Sequence, residues 1–322
     1  MNLVMSDITR NKLGCYMAQQ ASLNNIPVSA LVSRFTVEPA VQQRFENASK
    51  ESTEFTKRIN VIGVTDQKGE KILLDTTGPI ARTNSSYDGI KRRNPNNVID
   101  MKSRQYQCEQ VNYDTFISYP QLDTWAAHSD FQSRISTQIA RQVALDRIMI
   151  GFNGTSHAYE SDFHTNKLLQ DVNVGWLEHI RTDASERVMN DVTLTSRNMD
   201  NTVAHAGKYA NADALVQDAR SSLLDEWHKE ADDLAVIMGR NLFNSLRLPV
   251  LNSISGQNPN AELLAGQLIL SSRTIGGLGV FLAPFFPDAT MLITSFNNLS
   301  IYWQKGSMRR LMKDEPEYNR IA

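Results

Sequence analysis

Residues 121–151 read QLDTWAAHSDFQSRISTQIARQVALDRIMIG, and how they fold decides the architecture of the chain. Phe131, Ile135, Ile139 and Val143 recur at steps of four, and Leu145, Ile148 and Met149 continue the apolar stripe. That spacing puts them on one face of a helix. Asp123 stands where an N-cap belongs and Gly151 where a C-cap belongs. The pattern predicts one helix over residues 123–150, about seven turns at 3.6 residues each. With one apolar face and one polar face, it is expected to pack lengthwise on a sheet.

Outward from this helix, QYQCEQVNYDTFISY (105–119) reads as strands, and RINVIGVTDQKGEKILLDT (58–76) as a β-hairpin turning at Asp66–Gly69. Between them GPIARTNSSYDGIKRRNPNNVIDMKSRQ (78–105) has few large apolar side chains and is rich in Gly, Asn, Ser and Pro. It carries Arg82, Lys91, Arg92, Arg93, Lys102 and Arg104 against Asp88 and Asp100. Such a long loop in a compact domain serves a function or is disordered. It reads either as a solvated loop or as a basic arm reaching an acidic surface on another subunit.

Further toward the N-terminus, SDITRNKLGCYMAQQA (6–21) has Ile8, Leu13, Tyr16 and Met17 near helical spacing, with Ser6 or Asp7 as its cap. The apolar face is thin, so this helix needs a partner surface or is a frayed arm. NNIPVSALVSRF (24–35) breaks the pattern at Pro27 before a second short helical piece. At Thr36 the chain opens again, with Glu38 and Pro39 suited to a helix first turn. Residues 1–35 therefore read as a detachable preface.

On the C-terminal side, residues 151–211 are loop-rich. His157, Glu160, Asp162 and His164 lie close together in sequence, but their spacing fits neither a zinc signature nor an EF-hand. Ser156 beside His157 lacks the nucleophile-elbow pattern. NADALVQDARSSLLDEWHK (211–229) reads as a helix, LAVIMGR (234–240) as a buried strand and NLFNSLRLPVLN (241–252) as helical. TIGGLGV (274–280) has too many glycines for a strand and lacks the setting of a phosphate loop, so it reads as a loop. Together these predict a compact α/β unit with a mixed sheet. The last stretch, 290–321, is strand-like with a turn at Asn297–Asn298.

Composition narrows the function. The chain has 322 residues, 41% hydrophobic and 21% charged, with a net charge of −2. That is ordinary globular composition and argues against a chain devoted to gripping nucleic acid. No apolar run approaches the roughly 18 residues of a membrane span. The N-terminus lacks a secretory pattern, so cytoplasmic synthesis is the default. Cys15 and Cys108 are too few for a disulfide framework. No nucleophile, base and orienter come together, no metal ligand set is evident, and no cofactor is expected.

Many collinear stretches carry a resemblance. FTVEPAV, STEFTKRINVIGV, KGEKI, TGPIA, YQCEQVNYD, QLDTWAAHSDFQSRI and IGFNG are followed by LLQDVNVGWL, ERVM, YANADALVQDA, LAVIMGR, FFPDATMLIT and NLSIYW. In this order, from about residue 33 to 320, the sequence resembles the major capsid proteins of tailed bacteriophages, of the contractile-tailed P-two-type family. The resemblance implies an α+β chain with the Hong Kong phage capsid fold. It implies a cleaved scaffolding-like segment at 1–35, an N-arm at 36–57, a hairpin and extended loop at 58–105, and a peripheral domain at 106–204 with a spine helix at 123–150. An axial domain at 205–290 and a return to the peripheral domain at 291–322 complete it.

The implied function is a major capsid protein, not an enzyme, that forms the pentamers and hexamers of an icosahedral head around double-stranded DNA. Its partners would be other copies of itself, a phage scaffolding protein and maturation protease, a portal protein and weakly contacted DNA, with no membrane. The resemblance places the maturation cut at Arg34, Phe35 and Thr36, and the chain in a virion assembled in the bacterial cytoplasm. The basic loop could pair with the acidic run Asp225, Glu226, Glu230, Asp232 and Asp233. Members of the family continue past the equivalent of Ala322 with further strands, so this is either a shortened copy, as from a decayed prophage gene, or a chain with altered peripheral contacts. An exposed sheet edge is expected in both cases. The alternative is a nucleic-acid-binding module using loop 82–104, whose affinity would fall steeply with salt.

Overall fold

The computed structural model describes residues 5–76, 99–126, 128, 130–198, 202–246 and 274–322. Ser6 opens the first helix, α1 (Asp7–Leu23), with its hydroxyl accepting from the Thr9 amide. A 3-10 turn at Val28–Val32 leads to a two-residue strand, β1 (Phe35–Thr36). Pro39 occupies the first turn of α2 (Pro39–Glu51), where its missing N–H costs nothing. Thr53 caps α3 (Glu54–Arg58), and three strands follow: β2 (Asn60–Val64), β3 (Lys68–Thr76) and β4 (Ile99–Gln107). After β5 (Ile117–Ser118) come α4 (Tyr119–Ala126), α5 (Phe131–Asn153) and α6 (Trp176–Asp183). β6 (Ser196–Arg197) pairs with β7 (Val203–His205), and Asn211 caps α7 (Ala212–Leu223). The rest is strands: β8 (Leu234–Met238), β9 (Thr274–Ile275), β10 (Leu278–Leu282), β11 (Met291–Ser295), β12 (Ser300–Gln304), β13 (Arg309–Arg310), β14 (Asp314–Glu315) and β15 (Arg320–Ile321).

The largest sheet runs β11-β8-β10-β9 and is mixed, as the sequence predicts: β8 is parallel to β10 and antiparallel to β11. Successive side chains of a strand point to opposite faces, and β8 uses both. Val236 and Met238 join Val216 of α7 in one core. Ile237 joins Phe55, Ile148, Phe152 and Phe286 in another. The sheet is thus covered on both sides. β11 closes it, although Met291 stands where a return to another domain is expected.

The second core is built from aromatic rings. Phe55 has its centroid 5.2 Å from Phe152, 5.8 Å from Trp176, 5.7 Å from Phe281 and 6.2 Å from Phe296. All four pairs are tilted or edge-on, the arrangement that ring quadrupoles favour.

Several expectations need correction. TIGGLGV is not a loop: Gly276 and Gly277, at φ +58° and +79°, form the tight turn of the β9–β10 hairpin. Two consecutive left-handed residues are what such a turn demands, and glycine supplies them without a steric penalty. Residues 58–76 are not a hairpin either. β2 pairs in parallel with β12, from Asn60–Ser300 to Val64–Gln304, whereas β3 pairs antiparallel with β4. Gly63 permits the first pairing, because a Cβ there would lie 2.6 Å from the Trp303 ring. The stretch 99–107, partly assigned to the basic loop, is strand β4, with Lys102 opposite Leu73 and Arg104 opposite Lys71. Arg82, Lys91, Arg92 and Arg93 lie outside the described residues.

The helix expected over 123–150 is two helices, α4 and α5, with Asp130 rather than Asp123 at the N-terminus of the long one. Gly151 does not end α5. It lies inside the helix with the Trp176 ring against it, where a Cβ would sit 2.3 Å from the indole. The helix stops at Gly154, where a Cβ would collide with the Asn173 carbonyl at 2.0 Å. The flank of α5 lies on α2, and its last turns meet α6 and, through Ile148 and Phe152, Ile237 of the sheet. It thus reaches the sheet at its end instead of lying lengthwise on it. α7 ends at Leu223, short of the predicted DEWHK, which holds a 3-10 turn at Glu226–His228.

Candidate functional site

The preface is not frayed. Its thin apolar face finds a partner surface: Leu13 and Tyr16 of α1 pack with Tyr119, Leu122, Ile135 and Met312. Ala21 and Leu31 form a further cluster with Phe35 and Val37. Polar anchors fix the docking. Asp123, read from sequence as a cap for its own helix, accepts from the Ser6 amide at 3.1 Å and the Thr9 hydroxyl at 2.5 Å. These bonds, that from Thr9 foremost, hold its carboxyl below the usual carboxylate range. Lys12 reaches across to the carbonyls of Ala126 and His128 at the end of α4, where a cation is favoured.

The expected junction lies on the same surface. Arg34 is exposed, but Phe35 is buried, and Phe35–Thr36 pair with Arg310–Arg309 of β13. The Val37 amide donates to the Met308 carbonyl at 3.0 Å. The expected junction is therefore a short strand paired with β13, not an open linker.

β13 leads into the three-stranded sheet β14-β15-β5. Here the Tyr119 hydroxyl donates to Asp314. Burial, helped by the bond and charge of Asp314, pushes the phenol up to about 12 from the ordinary value near 10. The unfolded chain ionises first, so this contribution is intact below about pH 10 and is lost as pH rises toward 12. In urea unfolding, Tyr119→Phe is expected to be less stable at pH 8 and to lose less between pH 10 and 12 than the parent chain. Equal losses would remove Tyr119 as the source.

A feature that sequence reading missed lies between α2 and α5. Glu46 and Arg147 form a bidentate pair, at 2.5 and 2.9 Å, with side-chain exposures of only 3% and 17%. Burial works to lower the guanidinium's pKa, and the hydrogen bonds and charge of Glu46 outweigh it, holding the group above its ordinary value. The available signal was Arg147 itself, an arginine directly before Ile148 on the apolar stripe.

The acidic run is largely satisfied within the chain. Arg187 pairs with Asp225 at 2.6 Å, Lys229 with Glu226 at 2.7 Å and Arg220 with Glu230 at 2.9 Å. Asp233 accepts from the Ser295 hydroxyl at 2.5 Å, and Asp232 is exposed. The group imagined around His157 does not converge on a site. The His157 ring meets the Val172 carbonyl, and Asp162 accepts from the His164 amide and the Thr165 hydroxyl, bonds that shape a turn. Among the described residues no helix is long and apolar enough to cross a membrane.

A mixed helix-and-sheet chain with such a docked preface defines a class through its likeness to known proteins. It matches a chain of a structure described as a satellite phage P4 procapsid including size determination (Sid) protein. The TM-score is 0.72 at 37% identity, over 98% of this chain and 91% of that one. The fold is a phage capsid fold. The profile of the phage major capsid protein, P2 family, matches residues 12–322, and the chain belongs to that family. It is 48% identical over 318 residues to the major capsid protein of Serratia phage KSP20, covering 99% of this chain and 91% of the relative. It is 41% identical over 320 residues to the capsid proteins of Escherichia phage P2, covering 98% and 88% respectively. It is a structural protein of a phage head, not an enzyme.

Proposed function

We propose that the chain, with a Hong Kong-type fold, assembles with copies of itself into the pentamers and hexamers of an icosahedral head enclosing double-stranded DNA. In this reading a maturation protease removes residues 1–35 next to Phe35 after assembly in the bacterial cytoplasm, and scaffolding and portal proteins are the other partners. The observation that carries it is the likeness to a procapsid chain over 98% of the sequence. The proposed division is an N-arm at 36–57, a loop at 58–105, a peripheral domain at 106–204 and an axial domain from 205. Pairing of β11 with β8 favours extending the axial unit through Ser295, with the peripheral return after it.

The docked preface supports a guiding role before cleavage. While in place it covers Tyr119, Leu122, Ile135 and Met312. Removing it would uncover that apolar surface, so the cut has to follow the contacts that the preface guides. Negative-stain microscopy of the chain with and without residues 1–35 tests this. Closed shells or rings are expected from the full chain, and aberrant or no shells from the truncated one. Soluble monomers from the full chain, even with a scaffolding protein co-expressed, would overturn the reading.

The charged contact between copies is best carried by Asp232 and Asp233, since Asp225, Glu226 and Glu230 are already paired in cis. Reversing Arg92 and Arg93, or Asp232 and Asp233, is expected to reduce the yield of particles, and reversing all four to restore it. Without rescue, the contact is not made by these groups.

A further inference from the structure

Residues 155–171 form a tongue whose tip holds two exposed aromatic side chains, Tyr159 and Phe163. Its root is fixed by the Thr155 amide on the Gln170 carbonyl and the Ala158 amide on the Asp171 carbonyl, both at 2.8 Å. The Asp171 carboxylate takes the Asp162 amide at 2.8 Å. On this rigid frame Tyr159 is 106% exposed and Phe163 64%. Two aromatic side chains held out in water by an ordered loop form an interaction tip whose ordering cost is already met.

The same chain offers a receptacle. A groove of about 540 Å³ lies beside the end of α5, lined by Leu168, Arg240, Leu282, Pro284 and Phe285 among others. That volume is in the range of sites that hold a group of this size. Phe285 lines it from the left-handed region, at φ +58°, a strain that residues other than glycine keep where surroundings or function require it. Asn153 holds this geometry by donating to the Phe285 carbonyl at 2.8 Å. Arg240 is exposed at the rim with no ion pair among the described residues, as is Glu160 on the tongue. Asp288 also lines the groove and accepts from the Asn241 side-chain amide at 3.1 Å, so tip and groove match in apolar character and in the single opposite pair Glu160 and Arg240.

We propose that the Tyr159–Phe163 tip of one copy seats in the Phe285 groove of the next, with Glu160 facing Arg240. The proposal rests on the reading of the chain as a shell-forming subunit. Each copy gives a tip and receives one, a heterologous contact that closes into a ring or runs on.

Disulfide trapping tests it. Full-length chains with Cys15 and Cys108 replaced by Ser are made as two size-tagged pools, one Tyr159→Cys and one Phe285→Cys. The pools are oxidised separately and mixed, both in concentrated solution and in sedimented particles. A mixed-size dimer that forms only on mixing, and is lost when Phe163 is also Ser, is the expected result. Particles without that dimer overturn the contact and leave the capsid reading standing. The dimer without particles supports the contact and counts against the shell. Neither dimer nor particles overturns both, and dimers formed only within the Tyr159→Cys pool show tips meeting each other and overturn the groove as the seat.

Discussion

Phe55→Ala is expected to cost the unassembled chain about 3–5 kcal/mol, near the upper end for a single core truncation. Phe55 is 1% exposed and meets four rings contributed by α5, α6, β10 and the turn after β11. It is the side chain through which α3 binds the sheet and both helices at once. Truncation leaves a void whose walls cannot collapse, since Phe152 and Trp176 are fixed by their own contacts, at 5.1 Å from each other and 4.7 Å between Phe152 and Phe286. Urea unfolding of the variant measures it, with Phe55→Leu as the milder control. A loss below about 1 kcal/mol would mean that the cluster repacks freely.

Arg147→Met is expected to cost about 3–5 kcal/mol as well, for a different reason. The substitution nearly preserves side-chain bulk, but leaves the Glu46 carboxylate, 3% exposed, without its cation. Removing the charge from both partners, as Glu46→Leu with Arg147→Met, should recover most of the loss or exceed the parent chain, because a buried pair offsets its own desolvation only narrowly. Stability measured for the two singles and the double closes the cycle. Equal losses in Arg147→Met and the double variant would show that the guanidinium works through its packing alone. Glu46 joins α2 to the long helix, so the pair fixes α2 relative to the body.

Elements whose start is written in a few adjacent residues were legible in the sequence. Ser6, one of two caps offered, and Pro39 each opened the helix they predicted, and LAVIM was the buried strand. The pairings were not legible, because they depend on residues far away. Asp66–Gly69 looks like a hairpin turn, but the strand that pairs β2 arrives at Ser300. The long helix was misread at both ends for a related reason. Asp123 and Asp130 are the same residue type, and only the position of Ser6 and Thr9 gives Asp123 a different partner. Gly151 and Gly154 are likewise equivalent in sequence, and the Trp176 ring decides between them. The surface beneath the preface was not legible because its residues come from α4, α5 and the approach to β14, which are far apart in sequence.

The closing strands bear on how a copy is made. Gln42 of α2 donates to the Gln304 carbonyl, 262 positions later, and accepts from the Gly306 amide. β1 waits for Arg309 and Arg310, and β2 for β12. These contacts complete only when the C-terminal strands exist, and pairings this distant are slow to form. A copy that ends before Gln304 can still form the Glu46–Arg147 pair, but it lacks the strands that pair with β1 and β2. The N-terminal third of the fold is thus completed by the last residues to be made.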